Sequence, residues 1–181
     1  MDEQLGSHYL QDAVLQFRGL KALAERALAQ VSDAELFAAL DEESNSLAAI
    51  MKHISGNQRS RWTDFLTSDG EKPDRNRDTE FEVESAETRD SVMRRWEQGW
   101  DCLFRALEPL GADDLMRTVT IRGQAHTVVQ AINRQLLHYS QHVGQIVFLA
   151  KHFRSREWKS LSIPRGKSAE VNAAMRSRVK N

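Results

Sequence analysis

The chain contains a single cysteine, three prolines and no apolar run that approaches the ~20 residues a membrane-spanning helix requires. Each scarcity removes a class of protein. With Cys102 alone, there can be no intrachain disulfide, no thiolate zinc cluster and no Cys-x-x-Cys redox pair, so any bound metal must be held by nitrogen and oxygen. Pro73, Pro109 and Pro164 are too few to break up long helices. The missing apolar run removes a helical membrane anchor, and no membrane partner is expected. The opening "MDEQLGSHYL" has neither the cationic start nor the apolar stretch of a secretory signal, so a cytoplasmic location is expected.

Net charge is also scarce, at −1, but it hides an asymmetry. Residues 1–90 carry 19 acidic against 10 basic side chains, and residues 91–181 carry 7 against 15. Packing of the two halves against each other would neutralise both. A nucleic-acid surface would instead need a concentrated basic stripe with stacking aromatics, and no nucleic-acid partner is expected.

What is present is enough apolar material for one domain: 181 residues, 40% of them hydrophobic, read as a single unit over 1–181 with a real core. Four stretches carry helical periodicity. The first runs from about Gln4 to Gln30, with Ala13, Phe17, Leu20, Ala24 and Leu28 on one face, and "VSDAEL" ends it with turn or cap residues. The second covers about Asn45 to Thr67, followed by the polar loop "SDGEKPDRNRDTE". The third covers about Ala86 to Leu107, with a seam through Val92, Trp96, Trp100, Leu103 and Leu107, stopped by Pro109 and Gly111. Alternation around Arg122-Gly123 suggests a small β-hairpin, and the fourth helix spans about Val128 to Phe153. The fold class is therefore all-α, a helical bundle over about 4–153 with a hairpin before its last helix. Trp158, Leu161 and Ile163 call for burial, so the tail 154–181 is expected to fold back on the bundle.

The last helix interrupts its apolar face with two imidazoles. His138 and His142 lie four residues apart, on a polar strip with Arg134 and Gln145 that flanks the apolar arc. At that spacing their Cβ atoms are ~5–6 Å apart, close enough to share one ion. The same spacing also fits an ordinary hydrogen-bonded pair. The second helix repeats the pattern: Ser46, His53, Asn57, Ser60 and Asp64 form a strip beside Leu47, Ile54 and Phe65. If the strips face each other, His53 becomes a third nitrogen ligand, and three protein ligands leave the open position of a catalytic rather than a structural metal. Asn57 and Arg61, one and two turns beyond His53, are candidates to hold a polar or anionic substrate. Arg134 and Gln145 are candidates to orient an imidazole through its second nitrogen. Asp64 lies too far along its helix for acid–base work, His126 reads as a surface histidine, and His8 and His152 have no partner in the pattern. Cys102 reads as a small packing residue, and Trp62, Trp96 and Trp100 as core or interface.

"NSLAAIMKHISGNQRSRWTDFLTSDGEKPDRNRDTEF", "AINRQLLHYSQHVGQIVFLAK" and "WKSLSIPRGKS" together resemble an uncharacterised branch of the DinB/YfiT-like metalloenzyme superfamily, over residues from roughly 5 to 172. The resemblance implies an up-down-down-up four-helix bundle, often a homodimer. It also implies a divalent metal on one histidine of the second helix and the His-x-x-x-His of the last, here His53, His138 and His142. Three imidazoles suit zinc, nickel, iron or copper, and affinity order alone does not choose among them; zinc or nickel is the first expectation and iron the next. Members of that wider superfamily that use low-molecular-weight thiols imply metal-assisted thiol transfer in detoxification or a stress response. A thiolate would then sit on the ion while Asn57 and Arg61 position the electrophile; no catalytic residue beyond the ligands is assigned. The competing expectation is a non-catalytic dimeric module with a structural or sensing metal.

Overall fold

A computed structural model describes residues 2–178 of the chain. Helix α1 (Glu3–Leu28) begins where the Asp2 side chain accepts the Gln4 amide, and its buried positions Leu10, Ala13, Phe17, Ala24 and Leu28 follow helical spacing. The turn expected at "VSDAEL" contains a short helix of its own, α2 (Asp33–Phe37), closed by reciprocal capping between Ser32 and Glu35.

Helix α3 (Leu47–Trp62) is capped by Ser46 and is buried almost throughout, polar residues included. It stops five residues short of the expected Thr67. Asp64 takes a positive φ of 48°, and the Thr67 and Ser68 amides bond to its carbonyl, so the chain turns instead of continuing. Phe65 still reaches the core, with its ring 4.8 Å from that of Trp62.

Helix α4 (Arg89–Leu107) starts at a Thr88–Ser91 capping pair and buries Val92, Trp96, Trp100, Leu103 and Leu107 on the anticipated seam. The hairpin pairs β1 (Thr118–Ile121) with β2 (Gln124–Thr127) in antiparallel register, Ile121 opposite Gln124. Arg122 and Gly123 both adopt positive φ, the backbone that a two-residue turn needs to match strand twist, and glycine supplies it without steric cost at the second position. Helix α5 (Val128–Arg154) follows at once, with Thr127 and Gln130 as its capping pair, and is ~40 Å long at ~1.5 Å per residue.

The four long helices share one core. α3 lies along α4, α1 lies along α5, and α5 also meets α3. Each long helix sends one aromatic ring to the centre: Phe17, Trp62, Trp100 and Tyr139, all 2% exposed or less. Phe17 lies 6.1 Å from Trp62, 6.5 Å from Trp100 and 5.9 Å from Tyr139, mostly edge to face. Such pairs add ~0.5–1.5 kcal/mol each beyond the apolar area they bury.

The segment after α3 is fastened to the hairpin. Asp69 accepts the amides of Arg122 and Gly123, both at 2.8 Å, and the Gly70 amide donates to the Thr120 carbonyl at 2.7 Å. These bonds hold residues 68–82 across the open side of α3. Beyond α5, Trp158 and Leu161 pack against the core as expected, and Lys159 exchanges two bonds with the Gln30 side chain. Ile163, however, is 42% exposed, and helix α6 (Ser168–Arg178) shows solvent-facing positions almost throughout, so only the first part of the tail folds back. Residues 179–181 of the expected tail lie outside the described residues. No helix among the described residues is long and apolar enough to cross a membrane.

Candidate metal centre

The contact between α3 and α5 brings the two polar strips together. His53 is buried at 3% exposure, and its Nε2 lies 3.3 Å from His138 Nε2, which lies 3.1 Å from His142 Nε2. One ligand atom from each of the three histidines falls within 4.8 Å of the others, so the cluster could hold a metal ion. Two of these separations approach the ~3.3 Å edge of a tetrahedron with ~2.0–2.1 Å metal–nitrogen bonds.

The far nitrogens decide which way the lone pairs face. His53 Nδ1 lies 2.8 Å from Glu80 Oε2, and a carboxylate can only accept there, so the proton sits on Nδ1 and the Nε2 lone pair points into the cluster. His142 Nδ1 lies 2.7 Å from Gln145 Oε1, which imposes the same tautomer. Burial, reinforced by the other two histidines and by nearby arginines, lowers the His138 pKa to about 3; burial also lowers that of His142. Both rings are therefore neutral at pH 7. His138 Nδ1 is buried with no hydrogen-bond partner. Three converging imidazole nitrogens, two of them on rings oriented through the second nitrogen, form a donor set that fits a divalent cation.

Glu80 is held as firmly as the ligand it orients. Arg75 grips it with two bonds, Nε to Oε1 at 2.8 Å and Nη2 to Oε2 at 2.9 Å. Burial alone would raise the Glu80 pKa, but the bonds from His53 and Arg75 overcome it and keep the group ionised. On the other face of the imidazole, the Phe81 ring stacks on His53 at 4.7 Å and 25°. Gly56, one turn after His53, makes the approach possible, because a Cβ there would run into the Glu80 carboxylate.

Beside His53 and His138 opens a cavity of about 300 Å³, lined also by Asn57, Arg61 and Arg134. Asn57 Oδ1 accepts from the Tyr139 hydroxyl at 2.9 Å, and that hydroxyl accepts from Trp62 Nε1 at 3.2 Å. Arg61 is buried, bonded to the Gly70 carbonyl and to Glu71. Gln145 meets an imidazole, whereas Arg134 makes no bond to one among the described residues and faces the cavity instead.

The remaining candidates lie elsewhere. Asp64 sits in the turn past α3, and His126 on β2 stands opposite Val119, its Nδ1 2.9 Å from the Gln124 carbonyl. Cys102 on α4 has its sulfur 3.5 Å from the Thr63 hydroxyl, outside the histidine cluster.

Sequence reading missed Glu80, Arg75 and Tyr139. The loop over residues 68–82 offers six carboxylates, Asp69, Glu71, Asp74, Asp78, Glu80 and Glu82, and no local pattern marks the one that turns back to His53. Tyr139 carried a weak signal, since a polar tip next to His138 on an otherwise apolar arc needs a partner.

The family described as "Protein of unknown function (DUF1572)" matches residues 4–167. No curated protein matches the chain.

Proposed function

Since the chain belongs to the DUF1572 family, whose description names no activity, we propose its function from the site itself: a divalent-metal-dependent enzyme built on His53, His138 and His142. The observation that carries this reading is the convergence of three Nε2 atoms, with the His53 and His142 rings oriented from behind by Glu80 and Gln145. Three protein ligands are the number that catalytic sites use and would leave an ion one open position, and a cavity bordered by His53 and His138 lies beside the cluster. We read the four long helices as an up-down-down-up four-helix bundle of the DinB-like kind, with zinc or nickel as the first candidate ion. When bound, such an ion lowers the pKa of a thiol or water placed beside it.

The chain's own residues divide the remaining work. Glu80 fixes the His53 ring and adds negative charge behind it, which strengthens the imidazole as a donor. Asn57 and Arg61 line the cavity and position the reacting molecule. The apolar wall behind Tyr139 excludes water from one side. Transfer from a low-molecular-weight thiol to a small electrophile is the reaction class that fits this arrangement.

The test is metal analysis of purified protein, followed by a thiol-plus-electrophile screen with chelator and metal re-addition. A single ion per chain is expected, lost in His138→Ala and in the milder His142→Gln, together with turnover that chelation abolishes. Metal content or turnover indifferent to both substitutions overturns the reading.

A further inference from the structure

The cavity beside the histidines is lined by five arginines and no carboxylate: Arg61, Arg75, Arg77, Arg122 and Arg134. They come from four places in the chain, namely α3, the 68–82 loop, the hairpin turn and α5. Three carboxylates stand behind them. Glu71 accepts from Arg61, Arg75 and Arg122, Glu80 accepts from Arg75 and His53, and Asp69 accepts the Arg122 amide. Five guanidiniums against three carboxylates leave a positive excess around a space of about 300 Å³.

The excess resides mainly in two side chains. Arg77 lies over the Phe81 ring at 4.9 Å and has no carboxylate partner among the described residues, and Arg134 has none either. The hydrogen-bonding of the cavity wall is incomplete as well. Arg61 Nε is buried without a partner, on a residue only 4% exposed. A buried guanidinium N–H left unmade is costly, and burial indeed lowers the Arg61 pKa. Planar donors converging from several directions match the geometry of a multi-oxygen anion.

We infer that this cavity binds a compact oxyanion group, phosphate or carboxylate, on a small substrate held beside the histidines. The inference builds on the metal-centre reading by naming the charge class of its substrate. Arg61, Arg75 and Arg122 are held in place by Glu71 and form the fixed wall. Arg77 and Arg134, with no ion pair to break, close on the anion from the open side.

Calorimetric titration of the purified protein with inorganic phosphate and, separately, with succinate at low ionic strength tests this. Saturable binding of at least one is expected, weakened tenfold or more in the double variant Arg77→Gln/Arg134→Gln and unchanged in Arg156→Gln, which lies outside the cavity. Neither substituted pair member holds a structural ion pair, so the melting temperature and metal content should stay at wild-type values. A response to phosphate alone assigns a phosphoryl group, and to succinate alone a carboxylate. No saturable binding of either probe, or binding untouched by the double variant, overturns the inference. Arginine-dependent binding in a protein that takes up no metal would leave this inference standing and remove the metal reading; metal on the histidines without arginine-dependent binding would do the reverse.

Discussion

Two regions meet at Tyr139 and are built on opposite terms. On one side its ring joins Phe17, Trp62 and Trp100 in a dry cluster, one ring from each long helix. On the other side its hydroxyl bonds Asn57, and the residue before it on α5 is His138, at the edge of a cavity lined by arginines. The dry cluster gains from area and shape, so its residues are interchangeable within limits of volume. The polar region gains from direction. Its carboxylates are gripped by guanidiniums and its imidazoles are oriented by second partners, and each member is useful only while the others stay in place. A substitution on the dry side should therefore change stability and leave the chemistry, whereas one on the polar side should change the chemistry more than the stability.

Trp100→Ala presses that contrast hardest. Emptying the position of a fully buried Trp costs ~3–5 kcal/mol, a fall in melting temperature on the order of 10 °C, with the metal bound per folded chain unchanged. A variant that keeps its melting temperature, or folds but binds no metal, would erase the distinction between the regions. Glu80→Gln is the converse. It keeps the shape but removes the charge behind His53, and metal affinity should drop ~10–100-fold in a competition titration while melting of the metal-free protein shifts far less than in Trp100→Ala. Equal losses in both measurements would mean that Glu80 is chiefly a structural group.

The smallest effect concerns Glu71, which ties the cavity wall together. Burial opposes its ionisation, but bonds from Arg122 and Arg61 lower its pKa from 4.5 to about 2. A carboxyl lowered on folding contributes stability that is complete above its unfolded pKa and fades as pH falls toward the folded value. The stability gap between wild type and Glu71→Gln should therefore be constant near neutrality and close between pH 4.5 and about 2. A gap that holds unchanged down to pH 2 would show that the ion pairs around Glu71 do not stabilise the fold.

Much of this was legible beforehand. Apolar residues at helical spacing located α1, α4 and α5 to within a few residues, because burial along one stripe leaves its period in the chain. The hairpin was legible from the alternation on both sides of Arg122-Gly123, since side chains of a strand repeat every two residues. The end of α3 was less so: Trp62 and Phe65 are both buried, and a helix or a turn would bury them equally well. Ile163 shows the same weakness in reverse, an apolar residue that found no partner surface.

Local order and which side chains share a helix face belong to the sequence, since both follow from covalent spacing and the helical repeat. That His53 stands against His138, that one carboxylate of six in a loop turns back to an imidazole, and that arginines from four segments ring one cavity were decided only when α3 met α5 and residues 68–82 docked on the hairpin. Such meetings join residues up to 85 positions apart, and their energy lies in contacts that no window of neighbouring residues contains.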